Sequence, residues 1–334
     1  MDTAHMTPRD DAVQLSNRGA VALMEGDPQA ARSSFERALA ADPACASALN
    51  NMGWMLASEG SLEEAEAHYQ RALEIDEKRV MPLINLAGVR AAERDLAGAR
   101  DLLLRALEID PNHVLALDDL ARVALGSGDL RGAERAWRRA LALDGKRCDL
   151  LVSLGTVVAA SGRYAEAVRL LRSAVERDPE NARGWGQLGL VLFLHRDLGS
   201  ALEALRRAIV IAPAETATRH HLALVHLARG ERGAAAAQLG EVLALDPEHR
   251  GARIDRAVMD LAEGRAADAR ALLERLLQQS PTLPRARFYH ALAACRTGAI
   301  DEGRGELEEL AAGDDKYARR AREVLAGVNE EGAA

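Results

Sequence analysis

The side chains that could do chemistry in this sequence are amides, guanidinium groups and imidazoles, and their spacing decides which of them act together. Asn17, Asn51 and Asn85 stand 34 residues apart, and Arg219, Arg253 and Arg287 repeat that interval further along. A carboxamide offers both a donor and an acceptor and can pair with a peptide unit of another chain. A guanidinium presents a fork of donors to a carboxylate. Both chemistries bind rather than react. The imidazoles of His220, His221 and His226 are close in sequence. Neighbours on a helix point about 100° apart, however, and a five-residue step leaves the face, so no metal site is expected. Cys45, Cys148 and Cys295 lie far apart with no CxxC pair, which indicates neither a disulfide framework nor a zinc module. The acidic pairs Asp118-Asp119 and Glu308-Glu309 read as solvated helix faces. The GxSxG, GxxxxGK[ST] and HExxH patterns are absent from the sequence. Gly184-Trp185-Gly186 falls inside a helical pattern and not after a strand, so it is no phosphate loop. No catalytic constellation and no cofactor are expected.

Composition narrows the classes further. Of 334 residues, 48% are hydrophobic and only 3% aromatic, so the core must be built mainly from Ala, Leu and Val. The hydrophobic fraction suits a folded chain. With 43 basic against 51 acidic side chains the net charge is −8, which argues against a general nucleic-acid binder. No run of 18 apolar residues occurs, so no membrane insertion is expected. The polar opening Met1–Gln14 lacks the apolar centre of a secretory signal, and the expected location is cytoplasmic.

The elements that must position these side chains follow from an internal repeat. Asp42-Pro43 recurs as Asp110-Pro111, Asp178-Pro179 and Asp246-Pro247, with Ala212-Pro213 and Ser280-Pro281 in the same phase. With Pro43 as position thirty-two, nine units of 34 residues tile 12–317 without a gap. A small residue holds position eight (Gly19, Gly53, Ala87 and onward) and position twenty (Ala31, Ala65, Ala99 and onward). A large apolar residue holds position twenty-four (Phe35, Tyr69, Leu103, Trp137 and onward). Leu49, Met52, Gly53 and Leu56 mark one face of a helix, Gly60 breaks it, and Ser61-Leu62-Glu63-Glu64 reads as a capping box for the next. Asp27, Asp95, Asp129 and Asp197 stand at the same point as N-caps. Each unit is therefore a helical hairpin that must stack on its neighbours to bury both faces. Lys316 to Val328 reads as a terminal helix with Arg319, Arg320 and Arg322 outward and Ala321, Val324 and Leu325 inward.

The period, the Gly/Ala, aromatic and proline columns, and segments such as Leu49-Asn50-Asn51-Met52-Gly53 resemble the tetratricopeptide repeat family. Arg256 and His290 at position seven and Gly303 at position twenty depart from its pattern. The resemblance implies an all-α, right-handed α-solenoid of about nine 34-residue helix-turn-helix repeats with a C-terminal capping helix. It implies further that the first helices line a concave groove. Asn17, Asn51 and Asn85 at position six then resemble an asparagine ladder that grips the main chain of an extended peptide, with Asn50 and Trp54 beside it. On that view the amides are independent, solvated groups whose removal leaves stability nearly unchanged. Arg122 stands at position nine of the fourth repeat, next to Asp118 and Asp119. Arg219, Arg253 and Arg287 at position four, extended by Arg183, Arg285 and Arg296 with Phe288 and Tyr289 as neighbours, form a candidate acidic-ligand site. The alternative is that their stems cover the core while the heads reach water. A two-Lys/Arg, two-Asn carboxylate clamp is not expected, because Ser16, Ala20, Met81 and Asn85 do not match its positions.

The expected organisation is a flexible N-terminal segment at 1–11, then repeats at 12–45, 46–79, 80–113, 114–147, 148–181, 182–215, 216–249, 250–283 and 284–317. A capping helix and tail follow at 318–334. The expected function is a non-catalytic scaffold or adaptor that binds an extended peptide or a partner helix in the groove. The alternatives are a substrate-targeting subunit of a larger machine and a self-assembling structural protein.

Overall fold

A computed structural model of the protein describes residues 7–331, and among them the chain is built from nineteen α-helices without a strand. The helices follow one another as antiparallel hairpins. In the first compact unit, residues 1–174, α1 (Pro8–Met24) packs on α2 (Pro28–Ala41), α3 (Ala46–Ser58) on α4 (Leu62–Ile75), and α5 (Val80–Ala92) on α6 (Leu96–Ile109). There α7 (Val114–Gly126) packs on α8 (Leu130–Leu143), α9 (Cys148–Ala160) follows, and the unit ends within α10 (Tyr164–Arg177). In the second, residues 175–334, α11 (Ala182–Leu194) pairs with α12 (Leu198–Ile211), and α13 (Thr216–Ala228) with α14 (Arg232–Leu245). Next come α15 (Arg250–Ala262) with α16 (Ala266–Gln279) and α17 (Pro284–Arg296) with α18 (Ile300–Ala311), then α19 (Lys316–Glu331).

The bend within each hairpin is a left-handed residue. Gly60 ends α3 at φ 88°, its N–H donating to the Ala57 carbonyl at 3.1 Å and that of Ser61 to the Leu56 carbonyl at 2.9 Å, the paired bonds of a Schellman motif. Gly26, Gly128, Gly162, Gly230, Gly264 and Gly298 have the same sign of φ, and Arg94 and Arg196 take it at 67° and 70° in the third and sixth hairpins. The following helix starts on a carboxylate cap: Asp27, Asp95, Asp129 and Asp197 accept from the third helical N–H. Ser61 departs from expectation. It stands at the N-cap but its side chain makes no cap bond, so the capping box is not formed.

The helix starts earlier at the N-terminus than the 1–11 assignment allows. Thr7 and Asp10 cap α1 reciprocally, and residues 7–11 belong to that helix or its cap. Residues 1–6 lie outside the described residues. At the other end α19 runs on to Glu331. Ala321 is buried against the preceding hairpin and Arg319 and Arg320 are exposed, while Arg322 donates to the Ala311 and Gly313 carbonyls at 2.6 and 3.2 Å.

The small-residue columns bring paired helices together. A Cβ on Gly53 would stand 2.7 Å from the Tyr69 ring, and one on Gly19 would meet the Phe35 ring, so the aromatic fills the space a side chain would need. Phe35, Tyr69 and Trp137 are fully buried, as are the alanines from Ala31 to Ala269 at position twenty. Each large apolar side chain removed from water is worth about 1.5–3 kcal/mol. The Gly303 departure has a steric cause: a Cβ there would lie 2.4 Å from Cys295 Sγ and 2.5 Å from the Ala291 carbonyl oxygen.

Candidate functional site

In the first unit, consecutive first helices α1, α3, α5 and α7 stand side by side, which brings position five of one hairpin against position six of the next. The amides there form a directed chain. Asn85 Nδ2 donates to Asn50 Oδ1 at 2.9 Å, Asn50 Nδ2 to Asn51 Oδ1 at 3.2 Å, and Asn51 Nδ2 to Ser16 Oγ at 3.4 Å. The expected independent rungs are thus coupled to one another, and Asn17 is exposed outside the chain. Aligned donors and acceptors polarise each other. The Asn85 carbonyl oxygen ends the chain as an acceptor.

Beside that end lies a cleft of about 400 Å³ whose walls include Trp54, Tyr69, Asn85, Gly88, Leu115 and Asp119. Trp54 is 49% exposed, the largest solvent-facing ring of this unit. A second cleft of about 350 Å³ shares Gly88, Ala92 and Asp119 and reaches Arg122. Arg122 forms an ion pair with Asp119 one helical turn away, yet its side chain stays 65% exposed. Burial pushes the Asp119 carboxyl above its ordinary value, and the Arg122 contact opposes that without cancelling it. Asp118 is not part of this pair: it accepts from Trp137 Nε1 at 2.7 Å and satisfies that buried indole.

In the second unit the arginine row is resolved into internal contacts. Arg253 is 6% exposed, donates from Nε to the Pro247 carbonyl at 2.6 Å and pairs with Glu248. Arg219 donates to the Pro213 carbonyl at 2.9 Å, and Trp185 does the same to Pro179 at 2.9 Å. In these three hairpins position four supplies a donor to the carbonyl of the proline in the turn before its helix, a use that column spacing alone does not reveal. Arg287 bridges to Glu306 and Glu309 at 3.3 and 2.6 Å, and Arg296 donates to the Leu261 carbonyl at 2.7 Å. Tyr289 stacks edge-on to Phe288, with centroids 5.3 Å apart, and faces Tyr317, its hydroxyl accepting from Arg320 at 3.4 Å. These contacts engage the other arginines of the row within the protein, while Arg183 is exposed on α11.

Arg285 instead joins a cluster missed in the sequence. It pairs with Asp255, which is 4% exposed and lies 2.7 Å from His220 Nε2. Burial alone would raise the Asp255 carboxyl; the His220 hydrogen bond and Arg285 outweigh burial and hold it below the ordinary carboxylate value. His220 meets His249 edge-on at 4.9 Å. The available signal was that His220 and Asp255 occupy the same columns as Asn50 and Asn85. Among the described residues no three His, Cys, Asp or Glu side chains converge as a metal site, and no helix is long and apolar enough to cross a membrane.

The sequence model of the family described as tetratricopeptide repeat matches residues 17–79, 119–167, 152–216 and 221–284. No curated protein matches the chain. Among solved structures, the chain is similar to one from the APC/C hetero-tetramer Cut9–Hcn1, at 17% identity over 85% of this chain and 54% of that one, with a TM-score of 0.64. It is similar to PilF of Pseudomonas aeruginosa at 18% identity over 64% and 96% of the two chains, with a TM-score of 0.58. A tetratricopeptide repeat protein from Parabacteroides merdae matches at 18% identity over 71% and 93%, with a TM-score of 0.55. At these identities the likeness is one of fold.

Proposed function

Because the chain belongs to the tetratricopeptide repeat family, whose members generally mediate protein–protein interactions, we propose that it is a non-catalytic scaffold whose first unit holds an extended peptide of a partner protein. The observation that carries this is the half-exposed Trp54 ring standing over the same cleft as Asn85, at the acceptor end of the amide chain. An aromatic side chain brings contact area at low conformational cost. The Asn85 carbonyl accepts a main-chain N–H of the ligand, so the contact depends little on ligand sequence, and Trp54 selects one side chain. Affinity capture by the full chain, with W54A/N85A in parallel, tests the proposal: a partner retained by the parent and lost by the double variant supports it. A partner held equally by both removes the function from this cleft.

Self-assembly is favoured by a different observation. On α1, Val21 is 50% and Met24 85% exposed, an apolar surface on the outermost helix of the first unit. Light scattering across a concentration series, with V21S/M24S as control, distinguishes it from the adaptor role.

A further inference from the structure

We propose that a cleft between α6 and α8 of the first unit is a second docking surface, and that it takes an acidic amphipathic segment of a partner protein: one large apolar side chain flanked by carboxylates. The cleft has a volume of about 570 Å³ and shares no lining residue with the Trp54 cleft. Its apolar walls include Leu104 and Leu107 of α6 and Leu117 and Leu120 of α7, and Leu104 is 40% exposed.

The basic side chains around these leucines outnumber the acidic ones, and two of them are unpaired among the described residues. Arg100, Arg135 and Arg139 line the cleft. Arg139 donates to the Pro111 carbonyl, whereas Arg100 and Arg135 are exposed and have no hydrogen-bond or ion-pair partner among the described residues. Two carboxylates share the cleft, Glu108 and Asp129, and Asp129 accepts the Gly132 N–H at 2.8 Å as a helix cap.

The other levels of this unit show what is missing. Arg32 meets Glu59 at 2.5 Å, Arg90 meets Glu66, Arg138 meets Glu166 at 2.6 Å, and Arg163 meets Glu134. Arg32 finds its carboxylate 27 residues on. The same step from Arg100 arrives at Ser127, whose hydroxyl donates to the Val123 carbonyl at 3.0 Å. The acid that closes the first level is therefore replaced where the cleft opens, on a chain whose net charge is −8. Two guanidinium groups with free donors suit carboxylates from outside. Leucine walls without an aromatic platform accept a hydrophobic side chain and offer a nucleic-acid base nothing to stack on.

The test uses the full chain with labelled leucine methyl groups. The first probe is a blocked hexapeptide with a Leu-Phe centre and two acidic residues on each side. The second is the same peptide with Gln and Asn in place of the four acids, and the third is inorganic phosphate. The acidic peptide is expected to shift the Leu104 and Leu120 methyl signals saturably. Its affinity is expected to fall at least tenfold in R100Q/R135Q and again between about 0.05 and 0.5 M salt, as screening predicts, and to persist in R100K/R135K. The amide peptide is expected to bind at least tenfold more weakly, and phosphate to shift none of these methyls. Equal binding of the two peptides, undiminished binding to R100Q/R135Q, or the absence of a saturable shift at Leu104 overturns the proposal. A concentration-dependent dimer abolished in R100Q/R135Q assigns the cleft to a second copy of the chain and overturns it as well. Shifts confined to Leu115 identify the Trp54 cleft as the only site for this ligand and leave the proposed function standing while this inference fails.

Discussion

His220 on α13 sets Nε2 2.7 Å from Asp255 Oδ2 on α15, the same step of 35 residues that carries Asn85 to Asn50 at 2.9 Å in the first unit. Asn51 reaches Ser16 by that step too, at 3.4 Å. Position five of one hairpin meets position six of the next because neighbouring first helices lie side by side with a shift of one residue. The polar column along these helices is consequently a series of inter-hairpin couplings, which both constrains the stack and orients the groups left open to a ligand.

The coupling changes what removing an amide does. Asn85→Ala deprives the half-buried Asn50 carbonyl of its donor, so a loss of about 1 kcal/mol of stability is expected, where a solvated rung would cost almost nothing. Asn17→Ala is expected to stay within about 0.5 kcal/mol of the parent. Chemical denaturation of the two variants side by side checks this, and equal stability of both would contradict the hydrogen-bonded chain.

Binding gives the companion prediction. Trp54→Ala is expected to weaken a captured partner at least tenfold, about 1.4 kcal/mol or more, with melting temperature little altered because the ring is half exposed. Titration calorimetry with the captured partner measures the first and calorimetric melting the second.

The left-handed bends offer a gain in stability. Arg94 and Arg196 occupy a conformation that seven glycines take elsewhere in the chain, and a side chain in that region costs about 1 kcal/mol. Arg94→Gly and Arg196→Gly are each expected to stabilise by about 0.5–1 kcal/mol, reduced by the freedom glycine adds to the unfolded chain. Gly60→Arg is expected to destabilise by a similar amount. A melting temperature that falls in both arginine-to-glycine variants would show that these side chains hold the bend by contacts.

Close helix approach gives a two-residue test. Gly53→Ala places a methyl 2.7 Å from the Tyr69 ring and is expected to cost about 1–3 kcal/mol. Adding Tyr69→Leu recreates the Ala87–Leu103 combination, and the double variant is expected to recover part of the loss. Strict additivity of the two changes in denaturant melts would mean that they do not share the same space.

His221 contributes a pH dependence to the second unit. Burial, then the neighbouring His220 and His249, push its imidazole from 6.5 down to about 4, with Glu215 opposing. The folded state keeps this group neutral while the unfolded chain takes up a proton near pH 6.5. Its contribution to stability is therefore present above about pH 6.5 and lost as pH falls toward 4, by about 3 kcal/mol in full. The unfolding free energies of parent and H221Q, compared from pH 7.5 to 4, are expected to converge on the acid side. A constant difference would show that His221 is solvated and titrates normally.

The hairpins, the family and the core were legible in the sequence because each rests on a local rule repeated many times. A glycine or alanine opposite a large side chain, an aspartate before a helix and a proline after one act within a single 34-residue unit. Trp137 and Tyr69 could be assigned to the core on that basis alone. The fate of the polar side chains was not legible, because it depends on which groups of the turns and neighbouring helices packing brings into hydrogen-bond reach. Arg253 looks like Arg100 in sequence, a basic residue on an amphipathic helix. Packing buries Arg253 against the Pro247 carbonyl and Glu248, while Arg100 stands at an open cleft where Ser127 takes the place of the matching acid. Asn51 and Asn85 likewise share a column with Asn17, but only their positions between neighbouring first helices join them to Asn50 and Ser16. Repetition along the chain determined the scaffold; the step between adjacent hairpins, which only the tertiary structure sets, decided which polar groups are satisfied within it and which remain free to bind.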